Sequence, residues 1–152
     1  MDYYGWMRYL LVLSLLAFSV SVCADPPSPL GLWKTIDDET HAARALVEIS
    51  EYDGALSGRI VKLFRKPTED PNPLCKDCQG ERHDQPVLGM TILWNERPHG
   101  DAWSGGEILN PEGGEIYRCN LHLIDGGTKL QVRGYIGISL LGRTQVWERV
   151  GL

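Results

Sequence analysis

The chain has no block of basic residues, no helix-length stretch with an apolar repeat near ~3.6 residues, and only two phenylalanines and four cysteines. Each absence excludes something. With 15 Lys and Arg against 20 Asp and Glu, and the bases dispersed, neither nucleic acid nor an anionic membrane surface meets a complementary face. Without helical periodicity the chain reads as all-β. No Gly-x-Ser-x-Gly, His-Glu-x-x-His or phosphate-binding loop occurs, so the common hydrolase and nucleotide chemistries lack a visible carrier. Past Val20 no apolar run approaches the ~20 residues that a membrane helix requires.

The N-terminus has the features of an export signal. Arg8 precedes an apolar run, Tyr9 to Val20, and Val22 and Ala24 stand at −3 and −1 of a cleavage site before Asp25. The expected signal is residues 1–24, and its charged region is cleaner if translation starts at Met7. A lipid-attached form through Cys23 is disfavoured by the bulk of Val22. Cleavage leaves 128 of the 152 residues, enough for one ordinary core. Arg8 and Asp2 leave together, so the net charge stays at −5. The expected location is periplasmic or secreted. Residues 25–30 read as a Pro-rich leader and residues 31–152 as one β domain.

Strand signals follow one another. They are expected at residues 31–36, 45–52, 55–64, 87–94, 102–109, 116–123, 129–136 and 143–150. Asp53-Gly54 is a type I′ hairpin signal, because both central positions of that turn need positive φ. Tyr117, Cys119, Leu121 and Leu123 alternate with Arg118, Asn120 and His122, as in a half-buried strand. Gly58 in mid-strand marks a bulge or bend. Eight strands joined by hairpin-type turns must close or stack to avoid open edges. An eight-stranded up-and-down antiparallel barrel is the simpler solution, and a β-sandwich the other.

Chemistry concentrates in the long loop after the third strand. Cys75 and Cys78 admit a disulfide, a zinc site completed by His83 and Asp84, or a thioredoxin-like redox pair. A long bridge to Cys119 is favoured by loop-closure entropy, at roughly 4 against roughly 2 kcal/mol for the short ring. Cys119, however, lies on an apolar strand face where a free thiol packs as a small hydrophobe. The preferred reading pairs Cys75 with Cys78 and buries Cys119. The zinc reading lacks a second ligand pair, and the redox reading lacks a helix N-terminus. A thiol-redox or zinc-dependent protein centred on Cys75 and Cys78 is therefore the alternative function, and no cofactor or metal is expected. The tract Glu81-Arg82-His83-Asp84 reads as solvated loop surface.

Several short motifs together carry a family resemblance. They are Gly31-Leu32-Trp33, Asn72-Pro73-Leu74-Cys75 with Cys78, Gly89-Met90-Thr91-Ile92-Leu93, Trp103-Ser104-Gly105-Gly106-Glu107-Ile108-Leu109, Tyr117-Arg118-Cys119 and Arg133-Gly134-Tyr135-Ile136-Gly137. The chain resembles an exported bacterial family catalogued as domain of unknown function 2147, itself regarded as similar to lipocalins. The resemblance implies a lipocalin-like barrel and brings no activity. It also implies a structural role for Gly31, Trp33 and Arg149, with the guanidinium lying over the indole to close the barrel and Arg143 as the other candidate base. The chain departs from lipocalins in its short length, its lack of a C-terminal helix and its long loop.

The expected role is binding of a small apolar or amphipathic ligand, or an envelope interaction module, rather than catalysis. Trp94, Trp103, Tyr117 and Arg133 are the expected ligand-binding residues, if they line a cavity mouth. Side chains alone can also fill so small a barrel.

Overall fold

The computed structural model describes residues 27–151. The expected signal, residues 1–24, lies outside the described residues, as do positions 25, 26 and 152. Eight strands are formed: β1 (Gly31–Ile36), β2 (Ala43–Tyr52), β3 (Ala55–Leu63), β4 (Thr91–His99), β5 (Ala102–Leu109), β6 (Ile116–Ile124), β7 (Lys129–Tyr135) and β8 (Gly142–Val150). Each runs antiparallel to the next and β8 returns to β1, giving a closed up-and-down barrel with no free edge. Among the described residues no helix is long and apolar enough to cross a membrane.

Local chemistry explains most of the boundaries. Asp53 and Gly54 take φ of 53° and 68°, the conformation that a two-residue hairpin needs between right-twisted strands. Gly58 sits where the pairing of β3 with β4 shifts register. A Cβ there would stand 3.0 Å from Leu93 Cβ and 3.1 Å from Val47 Cγ1, so the bend is a point of close packing between the side chains of its two neighbouring strands. One strand differs from expectation by more than two residues. β4 starts at Thr91 rather than Val87, because Val87 is a buried anchor of the preceding loop, its N–H donating to Pro73 O at 2.9 Å, and Gly89 (φ 88°) turns the chain. It also continues to His99, with Pro98 paired to Trp103, so the turn is reduced to Gly100-Asp101.

Inward alternation builds the core. Trp33, Val47, Leu93, Leu121, Leu130 and Trp147 are all effectively removed from solvent. The two barrel ends differ. One carries the tight turns at 53–54, 100–101 and 125–128, and the other carries the four longer connections at 37–42, 64–90, 110–115 and 136–141.

The tight-turn end is shut by the β1–β8 seam. Trp33 is wholly buried and its indole N–H donates to Pro29 O at 2.7 Å. Arg149, its cross-strand partner, lies over the ring at 4.2 Å from the centroid. The same guanidinium donates to the carbonyls of Gly127 (2.7 Å), Leu30 (2.8 Å) and Ser28. One side chain thus ties the entering segment, the β6–β7 turn and the last strand together. Lys34 and Glu148 reinforce the seam at 2.6 Å on the barrel's outer face.

Replacing Arg149 by Ala is expected to cost about 3 kcal/mol in urea unfolding, from the lost charge-assisted hydrogen bonds and cation–π contact. Lys at the same position recovers less than half, because it supplies one point donor where the fork serves three carbonyls.

Candidate ligand cavity

The longer-loop end is open. A cavity of about 630 Å³ enters the barrel from this end. Along β8 its wall is made in turn by Arg143, Gln145 and Trp147, so Trp147 marks the depth reached before the Trp33–Arg149 closure. Ala45, Ile60, Ile92, Ile108 and Val132 supply apolar wall from five strands. Three polar groups interrupt it. Thr35 Oγ1 accepts the Ala45 N–H at 3.0 Å, Gln145 Oε1 accepts the Trp147 indole N–H at 3.1 Å, and Tyr117 brings a phenol. An apolar chamber with a few placed polar groups is how small-molecule sites are built, and its volume falls within their usual range of roughly 300–1,000 Å³.

The rim is charged and balanced in sign, with Arg44, Arg65, Lys76 and Arg143 beside Asp37, Glu69, Asp77 and Glu112. Arg44 pairs with Glu112, and Arg143 pairs with Asp38, its Nε donating at 2.8 Å. Lys76 pairs with Asp84 at 2.8 Å. The Arg143 hydrogen bond holds the Asp38 carboxyl below the usual carboxylate range, and the Thr40 backbone and hydroxyl do the same for Asp37. The rim therefore presents dipoles rather than a field of one sign.

The long loop, residues 64–90, folds over this end. Cys75 and Cys78 form a disulfide, and both are buried. The Cys75 N–H donates to Gln85 O at 2.8 Å and the Asp84 N–H returns to Cys75 O at 3.0 Å, so the loop is a small ladder of its own. It presses on the β5–β6 turn at Gly114 (φ 74°), where a Cβ would collide with the Asp77 carbonyl. His83 turns its Nδ1 to Cys78 O at 3.2 Å. Among the described residues no three His, Cys, Asp or Glu side chains gather as metal ligands.

The four expected ligand residues are dispersed. Tyr117 lines the cavity. Trp94 lies on the outer wall, its indole N–H donating to Glu107 Oε2 at 3.0 Å and its ring carrying the Arg82 guanidinium 4.4 Å from the centroid, so it clamps the long loop to the barrel. Trp103 faces a shallow crevice at the closed end, beside Pro27, Ser28 and Leu123. Arg133 braces the β7–β8 connection through Ser139 O (2.7 Å from Nε) and Thr144 Oγ1 (2.8 Å).

One buried group was not anticipated from the sequence. Glu96 is completely inaccessible, and neither carboxylate oxygen finds a partner of hydrogen-bonding geometry. It packs over Gly106, where a Cβ would lie 2.8 Å from its carboxyl carbon, so only glycine leaves room. Burial raises its pKa from 4.5 to about 7, and the nearby Cys119 thiol and Gly106 N–H lower it only in part. Cys119 is free and buried, its thiol pushed far above the ordinary range by desolvation and then by Glu96. Glu96 faces inward because Asn95 takes φ 61°, a bulge that breaks the alternation between Leu93 and Glu96.

A closed eight-stranded antiparallel barrel with one sealed and one open end defines a lipocalin-like fold. A solved structure supports the class: the Helicobacter pylori protein HP1028, described as belonging to the lipocalin family, superposes with a TM-score of 0.69 over 82% of this chain and 84% of that one, at 16% identity. At that identity the likeness concerns the fold alone. The chain belongs to the family described as "Uncharacterized protein conserved in bacteria (DUF2147)", whose model matches residues 31–149. No curated protein matches the chain in sequence.

Glu96 sets a pH dependence. Its folded-state pKa lies above the unfolded value, so its stabilisation is complete below about pH 4.5 and is lost as pH rises through about 7. Urea unfolding across that window should show the barrel weakening by on the order of 3 kcal/mol. Glu96→Gln, which cannot ionise, should flatten the profile.

Proposed function

We propose that this protein binds a small amphipathic molecule, its apolar body against Ile60, Ile108, Val132 and Trp147 and its polar end among Thr35, Tyr117, Gln145 and the paired charges of the rim. The cavity of about 630 Å³, apolar within the barrel and charged at its longer-loop mouth, carries this reading. Binding rather than catalysis is supported by what surrounds the chamber. At the rim Glu112 and Asp38 are paired with Arg44 and Arg143, and the buried unpartnered carboxyl, Glu96, does not line the chamber. The expected export signal supports a periplasmic or extracellular location, with residues 31–152 as the binding module. The thiol or zinc alternative is not favoured, because the Cys75–Cys78 disulfide is buried and, among the described residues, no three ligand side chains gather around it.

Binding is tested with N-phenyl-naphthylamine, a fluorophore that brightens on leaving water. Wild-type protein should enhance its emission, and a long-chain fatty acid should displace it. Val132→Phe narrows the chamber, so affinity should fall at least tenfold, on the order of 1.4 kcal/mol, while unfolding stability stays within about 1 kcal/mol. Equal affinity for both proteins would place the fluorophore elsewhere and remove the cavity's claim.

The disulfide supports the roof of the chamber rather than any redox chemistry. Cys75→Ser with Cys78→Ser should lower stability by about 2 kcal/mol and make residues 64–90 the first site of proteolytic cleavage. Some fluorophore binding should survive. A double variant of unchanged stability that has lost all binding would instead make the sulfurs part of the site.

A further inference from the structure

The β7–β8 connection, residues 136–141, reads Ile-Gly-Ile-Ser-Leu-Leu and turns its large side chains to solvent: Ile136 is 66%, Ile138 60%, Leu140 83% and Leu141 71% exposed. Isolated exposed aliphatics are ordinary, but four on a six-residue tip form a patch. The tip is built to project. Gly137 (φ 76°) turns the chain, and the Leu141 N–H closes back on Ile138 O at 3.0 Å. Arg133 reaches from the outer wall to hold the Ser139 carbonyl with two of its nitrogens. Folding these side chains back onto the barrel would break those bonds. The tip is also the lip of the cavity, since Gly134 before it and Arg143 and Gln145 after it line the chamber.

The chemistry of the tip identifies its partner. It has no aromatic side chain and no charge, the residue types that anchor specific protein interfaces. The two bases beside it are engaged, Arg133 with the Ser139 carbonyl and Thr144 and Arg143 with Asp38. A narrow aliphatic projection suits the boundary between headgroups and acyl chains of a lipid leaflet, which rewards apolar depth and needs no matching shape. A leaflet is also where amphipathic molecules are stored. We propose that residues 136–141 dip into a lipid leaflet and hold the cavity mouth against it, so that the cargo is a lipid-borne amphiphile exchanged between leaflet and barrel without crossing water. The cargo assignment rests on the cavity being a binding site; the docking itself does not.

The test places an indole at the tip with Leu140→Trp in the full chain, with wild-type protein providing the background from the native tryptophans. Vesicles are zwitterionic phosphatidylcholine with or without brominated acyl chains. The expected result is a blue shift of the added emission and its quenching by brominated lipid, both insensitive to salt. Adding Ile138→Ser and Leu141→Ser should weaken vesicle-dependent quenching about tenfold. Because the readout is local to position 140, an apolar N-terminal segment that also binds vesicles does not mask the answer. Emission that keeps its water-exposed position in the presence of vesicles overturns the proposal. So does a blue shift that appears without lipid as protein concentration rises, which would make a second copy of the chain the partner. Quenching by lipid in a protein that fails to bind N-phenyl-naphthylamine would sink the cavity reading and leave the docking intact.

Discussion

The structure depends on one closure, the packing of Arg149 on Trp33 at the β1–β8 seam. A sheet of eight antiparallel strands has two edges until the first and last strands pair, and this pair joins them at the point where the chain also enters the barrel. The guanidinium serves an aromatic face and three backbone carbonyls at once, so one side chain ties the entering segment, the β6–β7 turn and the last strand over a buried indole. Sealing this end by residues 27–30 and the seam leaves the opposite end free for long connections. The asymmetry of the barrel follows from that.

The open end is then a matter of what its connections do. The long loop needs its own ladder and the Cys75–Cys78 bond because it has little apolar surface of its own, and Val87 and Met90 sew its exit into the core. The charged rim carries both signs in equal number, so entry is not steered toward one sign of ligand. Apolar wall with three polar interruptions sets what a cargo must look like. The exposed aliphatic lip adds where such a cargo would come from.

Much of the fold was legible in the residues, for physical reasons. Asp53-Gly54 has one favoured conformation between strands, and the alternation through Tyr117, Cys119 and Leu121 leaves one face to bury. Gly31, Trp33 and Arg149 were recognisable only together, as a pattern, because nothing local in any of them speaks of a seam. The cavity was harder to read. Trp94 sits outward, because Leu93 takes the inward position beside it. Glu96 turns inward only because Asn95 interrupts the alternation, with the neighbouring strand bulged at Gly105 opposite. A period of two cannot be followed through a bulge, so the interior inventory of β4 was out of reach. Arg133 and Trp103 illustrate a second limit: residue type suggests a binding role, but the barrel's geometry gives one to a loop brace and the other to the closed end.

The central claim, a hollow barrel that carries a small amphipathic molecule, is tested most directly by native mass spectrometry of protein recovered from the cell without reduction or refolding. The account predicts a mass above that of the disulfide-bonded chain by one small organic molecule, which is lost on harsher activation and absent from the Val132→Phe variant. A chain of bare mass that also takes up no added fatty acid would contradict it.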